Sequence, residues 1–221
     1  MSATTLRFEP LNATFGARVS GVRLADIDER TFHALYEAWL EYALLVFSDQ
    51  FMTRPQQVKF AQRFGPLEFD IAALSNVLED GSLRPDDGTD DVMKVLKGNM
   101  GWHHDSTYMP VQAKGAVFTA EVVPPTGGAT GFADMRAAYD ALDERTKSGI
   151  NDLVCEHSLL FSRGRLGFDE LSDEEKKNFK PALQTLVRIH PETGRRSLFL
   201  SAHAGGIIGW TRPRLCEKSN F

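Results

Sequence analysis

The segment GNMGWHHDSTYMP, residues 98–110, contains two adjacent histidines, an aspartate and two bulky aromatic side chains. In an extended chain, side chains at positions i and i+2 point to the same side, and the residue between them points away. His103 and Asp105 therefore share one face of the segment, whereas His104 faces the opposite side. This alternation predicts that His103 and Asp105 are the pair able to chelate one metal ion.

An imidazole and a carboxylate on one face supply two members of the two-histidine, one-carboxylate set that holds non-haem Fe(II). That set leaves coordination positions open for substrates and for oxygen. A His-x-Asp tripeptide alone is a weak signal, because such tripeptides also occur by chance in polar surface sequence. The rest of the chain decides between these two interpretations.

The composition of the 221-residue chain is ordinary for a soluble globular protein, and its formal net charge is −5. No basic stripe with interleaved aromatic residues occurs, so we expect no nucleic-acid partner. No window approaches the roughly 18 apolar residues that cross a bilayer, and we expect neither a membrane span nor a signal peptide. Cys155 and Cys216 have no metal-type spacing, so we expect a cytoplasmic protein with reduced thiols. Formation of a homo-oligomer stays open.

The hydrophobic pattern on both sides of this segment predicts short strands with helices between groups of them. Strands are expected at 6–11, 17–24, 43–49, 93–98, 115–125, 183–191 and 197–203. Helices are expected to begin at Asp28, Thr53, Asp134 and Asp143. Residues 192–195 are typical of a hairpin turn. Strands outnumber helices in the second half, which predicts a mainly β fold with α decoration (α+β) around a sandwich or barrel-like core.

A polar, acidic segment rich in turn formers, residues 74–92, interrupts this pattern. It is either a solvated linker or a mobile lid over a site, since long loops in compact domains are often functional. The chain length suits one domain or one domain plus a small lobe, and we predict a single domain over residues 1–221.

Several longer segments share a family likeness with the residues around His103. They are PQQVKFAQRFGPLE (55–68), GGATGFADM (127–135), FADMRAAYDAL (132–142) and RIHPETGRRSLFLSAHA (188–204). Together with Asn99, Trp102, His103 and Asp105 they resemble the taurine/2,4-D dioxygenase family of Fe(II)- and 2-oxoglutarate-dependent oxygenases. The resemblance runs from about residue 6 to about residue 210. Within the family, STYMPVQAKGAVFTAEVVPPTGG (106–128) is closer to the phenoxyalkanoate-type members than to the taurine enzyme.

The resemblance implies a double-stranded β-helix, or jelly-roll, core with Fe(II) as cofactor and 2-oxoglutarate and O2 as co-substrates. It implies that His103 and Asp105 are iron ligands and that Thr130 hydrogen-bonds a carboxylate of 2-oxoglutarate. The candidates for lining the substrate pocket are Asn99, Tyr108 and His203. The substrate implied is a small organic anion, such as a phenoxyalkanoate or a sulfonate, and the co-products are succinate and CO2.

The family also requires a second histidine far downstream, followed by an arginine that pairs with 2-oxoglutarate. His157 is expected to line the pocket or to pack under it, and His190 to make a structural hydrogen bond in its hairpin. His203 lies in a segment that precedes the distal ligand in the family. After Trp210 the likeness stops, and the tail 211–221 offers Arg212 and Arg214 by residue type only.

These departures leave three hypotheses. The first is a 2-oxoglutarate-dependent dioxygenase, in which a divergent site could use His203 as its third ligand. The second is a truncated family member with an incomplete C-terminal jelly roll, catalytically incompetent because it lacks the distal histidine and arginine. The third is a zinc hydrolase built from His103, His104, Asp105 and a further histidine, which the opposite facing of His104 disfavours.

Overall fold

The computed structural model describes residues 5–165 and 180–210, and the expected divergent tail 211–221 lies outside them. The described residues fall into two compact units. The first unit contains residues 5–71, 116–138 and 190–195. The second unit contains residues 72–115, 139–165, 180–189 and 196–210.

The first unit contains a three-stranded sheet. β1 (Arg7–Pro10) pairs with β2 (Ala17–Ser20) in antiparallel orientation, and β2 pairs with β3 (Leu45–Phe47) in parallel. Gly21 follows β2 with a φ of 77°, and a Cβ atom there would lie 2.1 Å from the Thr5 carbonyl oxygen. Only glycine fits this turn, because any side chain would collide with the backbone of the neighbouring chain segment.

Helix α1 (Glu29–Tyr42) begins as its sequence predicts. The Asp28 carboxylate accepts a hydrogen bond from the Thr31 N–H at 2.7 Å, which satisfies one of the free donors of the first turn. The helix ends at Ala43, which adopts the left-handed conformation with a φ of 61° and donates its N–H to the Trp39 carbonyl. The chain can then turn back into β3.

Helix α2 (Arg54–Ala61) also begins at its predicted cap. Thr53 and Gln56 form a reciprocal capping box, in which each side chain accepts a hydrogen bond from the other residue's backbone N–H. The core of the first unit consists of Val19, Leu24, Phe32, Leu35 and Phe60. Burial of each such side chain contributes about 1.5–3 kcal/mol.

Four further α-helices follow among the described residues. They are α3 (Asp91–Gly98), α4 (Met135–Asp140), α5 (Glu144–Ile150) and α6 (Leu159–Gly164). Asp134 and Asp143 accept backbone hydrogen bonds at the starts of α4 and α5, as predicted. Within the described residues, no helix combines the length and apolar character needed to cross a membrane.

The second unit contains a three-stranded antiparallel sheet and a hairpin. The strands are β4 (Val154–His157), β5 (Ala182–Thr185), β6 (Val187–Ile189), β7 (Arg196–Leu198) and β8 (Ala204–Ile207). The sheet has the order β5-β4-β8, and β6 pairs with β7 in the hairpin. Its small core packs Cys155, Leu186 and Ile207 together. β4 ends at His157, which places that imidazole next to the segment that carries the predicted ligand pair.

The structure corrects two of the predicted strands. Residues 93–98 lie within α3, where the Asp90 carboxylate accepts from the Met93 N–H at 2.8 Å. Residues 115–125 contain no strand, and the Val117 carbonyl accepts from the Gln57 side chain at 2.9 Å instead of from a neighbouring strand. Each described strand has only three or four residues. More of the described residues lie in helices than in strands, which differs from the predicted mainly β composition.

The segment 74–92 has no regular element before α3 begins at Asp91, apart from an isolated bridge between Val77 and Leu83. This agrees with the predicted loop. The Arg84 guanidinium donates to the Asp90 carboxylate at 3.1 Å, which ties the loop to the start of α3. Its function as a lid stays a prediction.

Candidate metal site

Two hydrogen bonds tie the backbone around His103 to a neighbouring segment of the second unit. The Trp102 carbonyl accepts from the Ala202 N–H at 2.9 Å, and the His104 N–H donates to Ser201 Oγ at 3.5 Å. Residues 102–104 have no regular element, and a turn begins at Asp105.

His103 and Asp105 converge. His103 Nε2 lies 3.3 Å from Asp105 Oδ1, while His103 Nδ1 lies 2.7 Å from the Gly101 carbonyl oxygen. A carbonyl can only accept, so Nδ1 carries a proton, and loss of the second ring proton leaves Nε2 with the lone pair that a metal ion can bind. Without a metal, a proton on Nε2 is donated to the Asp105 carboxylate. Two ligand atoms that bind one ion at a right angle, each about 2.1 Å from it, lie about 3 Å apart. The residues present therefore fit a divalent metal ion at this point.

Electrostatics favour a cation at the same point. The hydrogen bond with Asp105 raises the pKa of His103, and the same contact with His103 lowers the pKa of Asp105. Asp105 is therefore a carboxylate at neutral pH. A metal ion would replace the proton that the two side chains otherwise share.

His104 points away from this pair. Its ring lies 4.8 Å from the ring of Phe199 in an edge-to-face arrangement. Burial, followed by the proximity of His103, lowers the pKa of His104. The structure thus brings His103 and Asp105 together and places His104 against Phe199. The assignment of His103 and Asp105 as metal ligands stays a prediction.

His203 lies beside His103, with 6.2 Å between their ring centroids. Its Nδ1 is 2.8 Å from Ser162 Oγ, and that hydroxyl donates its proton to the Leu159 carbonyl at 2.9 Å. Ser162 must therefore accept from His203 Nδ1, which leaves the lone pair on Nε2. Burial lowers the pKa of His203 to about 4, so the ring is neutral at physiological pH.

Within residues 5–165 and 180–210, no group of three histidine, cysteine or acidic side chains is arranged to hold a metal. The structure places His203 next to the ligand pair without assembling it into such a group. The Tyr108 ring packs edge-on against His203, with 4.9 Å between centroids. Tyr108 and His203 thus form an aromatic wall beside the pair.

The two other predicted site residues lie in exposed positions. Asn99 follows the last turn of α3, and its backbone N–H donates to the Val95 carbonyl at 3.0 Å. Thr130 belongs to an irregular, exposed segment of the first unit in which Gly127 and Gly128 have φ values of 74° and 67°. The glycines explain a turn there, and the predicted contact of Thr130 with a co-substrate stays a prediction.

Sequence reasoning missed a buried polar network behind the ligand pair. Thr107 and His157 are both fully buried, and His157 Nδ1 lies 2.9 Å from Thr107 Oγ1. Gln184 donates to the Thr107 carbonyl at 2.8 Å and accepts from the Arg188 guanidinium. The signal in the sequence was a glutamine and an arginine within the apolar run 183–189, where a buried strand would otherwise carry apolar side chains.

A converging imidazole and carboxylate supply two of the three ligands of the non-haem Fe(II) sites of oxygenases. The family profile described as "Taurine catabolism dioxygenase TauD, TfdA family" matches residues 7–217. The chain belongs to this family, which confirms the predicted resemblance and the predicted class of enzyme.

Two curated relatives bear the name (S)-phenoxypropionate/alpha-ketoglutarate-dioxygenase. The protein of Sphingobium herbicidovorans is 60% identical over 206 residues, which cover 90% of this chain and 72% of the relative. The protein of Delftia acidovorans is 49% identical over 217 residues, which cover 93% of this chain and 74% of the relative. These names support the expected dependence on 2-oxoglutarate. They give no support to the hypotheses that this chain is a catalytically incompetent family member or a zinc hydrolase.

Two solved structures have a similar fold. One, described as AAD-2 in complex with Mn(II) and N-oxalylglycine, has a TM-score of 0.91 and 47% identity, covering 96% of this chain and 78% of the other. A putative alpha-ketoglutarate-dependent 2,4-D dioxygenase from Burkholderia xenovorans has a TM-score of 0.78 and 32% identity, covering 95% and 75%. The structural neighbours are thus dioxygenases of the same family, one of them with a metal bound.

Proposed function

We propose that this protein is an Fe(II)- and 2-oxoglutarate-dependent dioxygenase that hydroxylates a phenoxyalkanoate-like anion, with a single domain built on a jelly-roll core. The convergence of His103 Nε2 and Asp105 Oδ1 at 3.3 Å carries this proposal. The TM-score of 0.91 to a dioxygenase over 96% of the chain supports the jelly roll. The names of the two (S)-phenoxypropionate relatives support the substrate class.

The bound iron would act as a Lewis acid with open positions for a 2-oxo acid and for O2. His103 and Asp105 would hold it from one side, and the Gly101 carbonyl keeps the proton of His103 on Nδ1 so that Nε2 is free to ligate. The Thr130 hydroxyl would donate to a carboxylate of 2-oxoglutarate. N-Oxalylglycine, an analogue of 2-oxoglutarate, occurs together with Mn(II) in the AAD-2 complex.

The aromatic wall of Tyr108 and His203 suits the aryl ring of such a substrate. His203 is neutral at physiological pH, so it presents a flat ring without burying a charge. Asn99 would line the same pocket. Hydroxylation of the carbon that bears the ether oxygen gives a hemiacetal, which splits into a phenol and a carbonyl acid. Each turnover therefore consumes one substrate, one 2-oxoglutarate and one O2, and releases succinate and CO2.

The test is succinate release by the purified chain with Fe(II), ascorbate and 2-oxoglutarate. Each enantiomer of a phenoxypropionate, a phenoxyacetate and an alkyl sulfonate should be supplied in turn. We expect succinate and a phenol in equal amounts with at least one aryloxy acid, and none with Asp105→Ala. Succinate that depends on the sulfonate alone would contradict the substrate class, and aryloxy cleavage without succinate would contradict the reaction.

A further inference from the structure

Thr107 is held at both of its hydrogen-bonding oxygens. Its side chain is fully buried, with Oγ1 2.9 Å from His157 Nδ1, and its carbonyl accepts from Gln184 Nε2 at 2.8 Å. A buried residue that is fixed both through its side chain and through its backbone cannot shift without breaking hydrogen bonds. Thr107 follows Asp105 by only two residues, so its position limits where the Asp105 carboxylate can lie.

The backbone between these two residues needs such an anchor. Ser106 has a φ of 55°, the left-handed region that a residue with a side chain adopts at a cost in free energy. A conformation of this kind persists only where its surroundings impose it. Ser106 is buried, and its carbonyl accepts from the Met109 N–H at 2.9 Å, which closes the turn on one side. Thr107 supplies the constraint on the other side.

The anchor is itself well packed. The His157 ring stacks on Phe199 with 5.4 Å between centroids and an interplanar angle of 18°. The Arg188 guanidinium lies 3.8 Å from the centre of the same Phe199 ring and donates to Gln184 Oε1. Phe199 therefore fixes both partners of Thr107, one directly and the other through Arg188.

His157 is suited to hold Thr107 without carrying a charge. Burial, with smaller contributions from His203, His104 and Arg188, lowers its pKa to about 4. Its Nδ1 bonds to Thr107, while its Nε2 is buried and has no hydrogen-bond partner among the described residues. The neutral ring thus holds Thr107 through one hydrogen bond from a buried position.

We propose that His157 and Gln184 are positioning residues that act through Thr107 to hold Asp105 at the geometry required for metal binding. This inference rests on the proposed function, because it assumes that Asp105 ligates the metal. His157 and Gln184 are both buried, and each makes a hydrogen bond to Thr107. Their effect is on where the carboxylate lies, and groups that orient metal ligands in this way typically change affinity about 10–100-fold when removed.

The experiment measures Mn(II) affinity, with no turnover involved, from the electron paramagnetic resonance signal of the free ion. It compares Thr107→Val, which keeps the shape and removes the hydroxyl, with Thr107→Ser, which keeps the hydroxyl. We expect Thr107→Val to weaken Mn(II) binding about 10-fold or more and Thr107→Ser to stay within about threefold of the parent chain. Near-UV circular dichroism at the same temperature establishes that each variant is folded.

A second pair of variants keeps the proposal testable if Thr107→Val does not fold. His157→Asn places an amide where Nδ1 lies, and His157→Gln places it where Nε2 lies. We expect His157→Asn to retain most of the Mn(II) affinity and His157→Gln to lose it. Equal affinities within either pair of folded variants would overturn the inference.

The two proposals fail in different ways. A parent chain that binds Mn(II), with the affinity lost in His103→Ala and Asp105→Ala but unchanged in Thr107→Val, would leave the metal site intact and overturn the positioning inference. A parent chain that does not bind Mn(II), or that binds it equally well in His103→Ala and Asp105→Ala, would overturn the metal site and the inference with it.

Discussion

At the scale of single residues, the site depends on the position of one carboxylate. Asp105 is exposed, and its Oδ1 lies 3.3 Å from Nε2 of His103. A divalent cation offers that carboxylate more charge than a shared proton does. The geometry is therefore poised for a metal ion, and each ligand can be tested by truncation.

Removal of either ligand should abolish iron binding, whereas removal of the histidine between them should not. His103→Ala and Asp105→Ala each delete an atom of the converging pair, so the loss should exceed the ~10–100-fold typical of residues that only orient a ligand. His104→Ala changes the packing on Phe199 and should bind iron within a few-fold of the parent. Anaerobic titration of Fe(II) with 2-oxoglutarate, followed through the visible charge-transfer band of the chelate, measures this.

The outcome that contradicts this prediction is specific. If His104→Ala lost iron binding while His103→Ala kept it, the assignment of the ligand face by alternation would be wrong.

Thr130 should contribute to co-substrate binding through its hydroxyl. Thr130→Val keeps the shape and removes the donor, and we expect a loss of about 1–3 kcal/mol in 2-oxoglutarate affinity if a buried acceptor then lacks its partner. Thr126→Val, in the same exposed segment, is the matched control and should bind 2-oxoglutarate as the parent does. Isothermal titration in the presence of Mn(II) compares them. If all three proteins bound 2-oxoglutarate with equal affinity, the segment around Thr130 would be explained as a glycine-rich turn alone.

At the residue scale, an alternation of neighbouring side chains can be read from the sequence, whereas long-range contacts cannot. The alternation of His103, His104 and Asp105 concerns three consecutive residues, and the structure places His103 beside Asp105 and His104 beside Phe199. The hydrogen bond from Gln184 to Thr107 joins residues 77 positions apart. No local pattern encodes that distance, so the network behind the ligand pair could be found only in the folded chain.

At the scale of elements, the helices begin where an acidic or hydroxyl side chain caps them. Two of these caps, Asp90 and Asp134, also form an ion pair, and the side chain of Asp134 is the more buried of the two. Its Oδ1 accepts from the N–H groups of Arg136 and Ala137 at 3.0 and 3.2 Å, and from Arg136 Nε at 3.2 Å. Asp134→Ala should lower the free energy of unfolding by about 1–2 kcal/mol. Asp134→Asn keeps an acceptor and should cost less. Chemical denaturation measures the free energy of unfolding of both variants. If the two variants lost the same amount, the negative charge of Asp134 would matter and its hydrogen bonds to the backbone N–H groups would not.

The same carboxylate predicts a dependence of stability on pH. Burial raises the pKa of Asp134, but the hydrogen bond from the Ala137 N–H and the Arg136 guanidinium together outweigh it, and the pKa lies below its ordinary value of 3.8. A lowered pKa contributes stability that is present above the ordinary value and is lost as the pH falls through the folded value. Between pH 5 and pH 2, Asp134→Asn should therefore lose less stability than the parent. If the free energy of unfolding fell equally with pH in the two proteins, Asp134 would not be the source of this pH dependence.

The predicted helix starts were accurate where a cap is visible, and alternation alone placed β1 and β2 correctly but misread residues 93–98 as a strand. Asp28, Thr53 and Asp143 each begin a helix as predicted. MKVLKG (93–98) is too short for its apolar and polar residues to separate a strand from a helix. Asp90, which caps α3 three residues before Met93, was the signal that should have decided it.

At the scale of the whole molecule, the family likeness was readable because motifs recur in order along most of the chain. The family profile matches residues 7–217, close to the predicted range of about 6 to 210. The structural similarity, with a TM-score of 0.91, likewise covers 96% of the chain. The division of the described residues into two units was not predictable, since each unit combines segments far apart in sequence. Such pairings depend on tertiary contacts that leave no periodic pattern.

Binding of a metal and a co-substrate analogue should stabilise the whole protein against heat. A ligand that binds only the folded chain at 100 times its Kd adds about 2.7 kcal/mol, and proteins of this size gain roughly 2–4 °C of Tm per kcal/mol. Mn(II) with N-oxalylglycine should therefore raise the Tm of the parent chain by about 5–10 °C. EDTA should reverse the shift. Differential scanning calorimetry measures it, with His104→Ala as the variant expected to keep the shift and Asp105→Ala as the one expected to lose it. A shift of the same size in Asp105→Ala would mean that the ligands stabilise the protein at some other position, and the pair His103 and Asp105 would no longer account for metal binding.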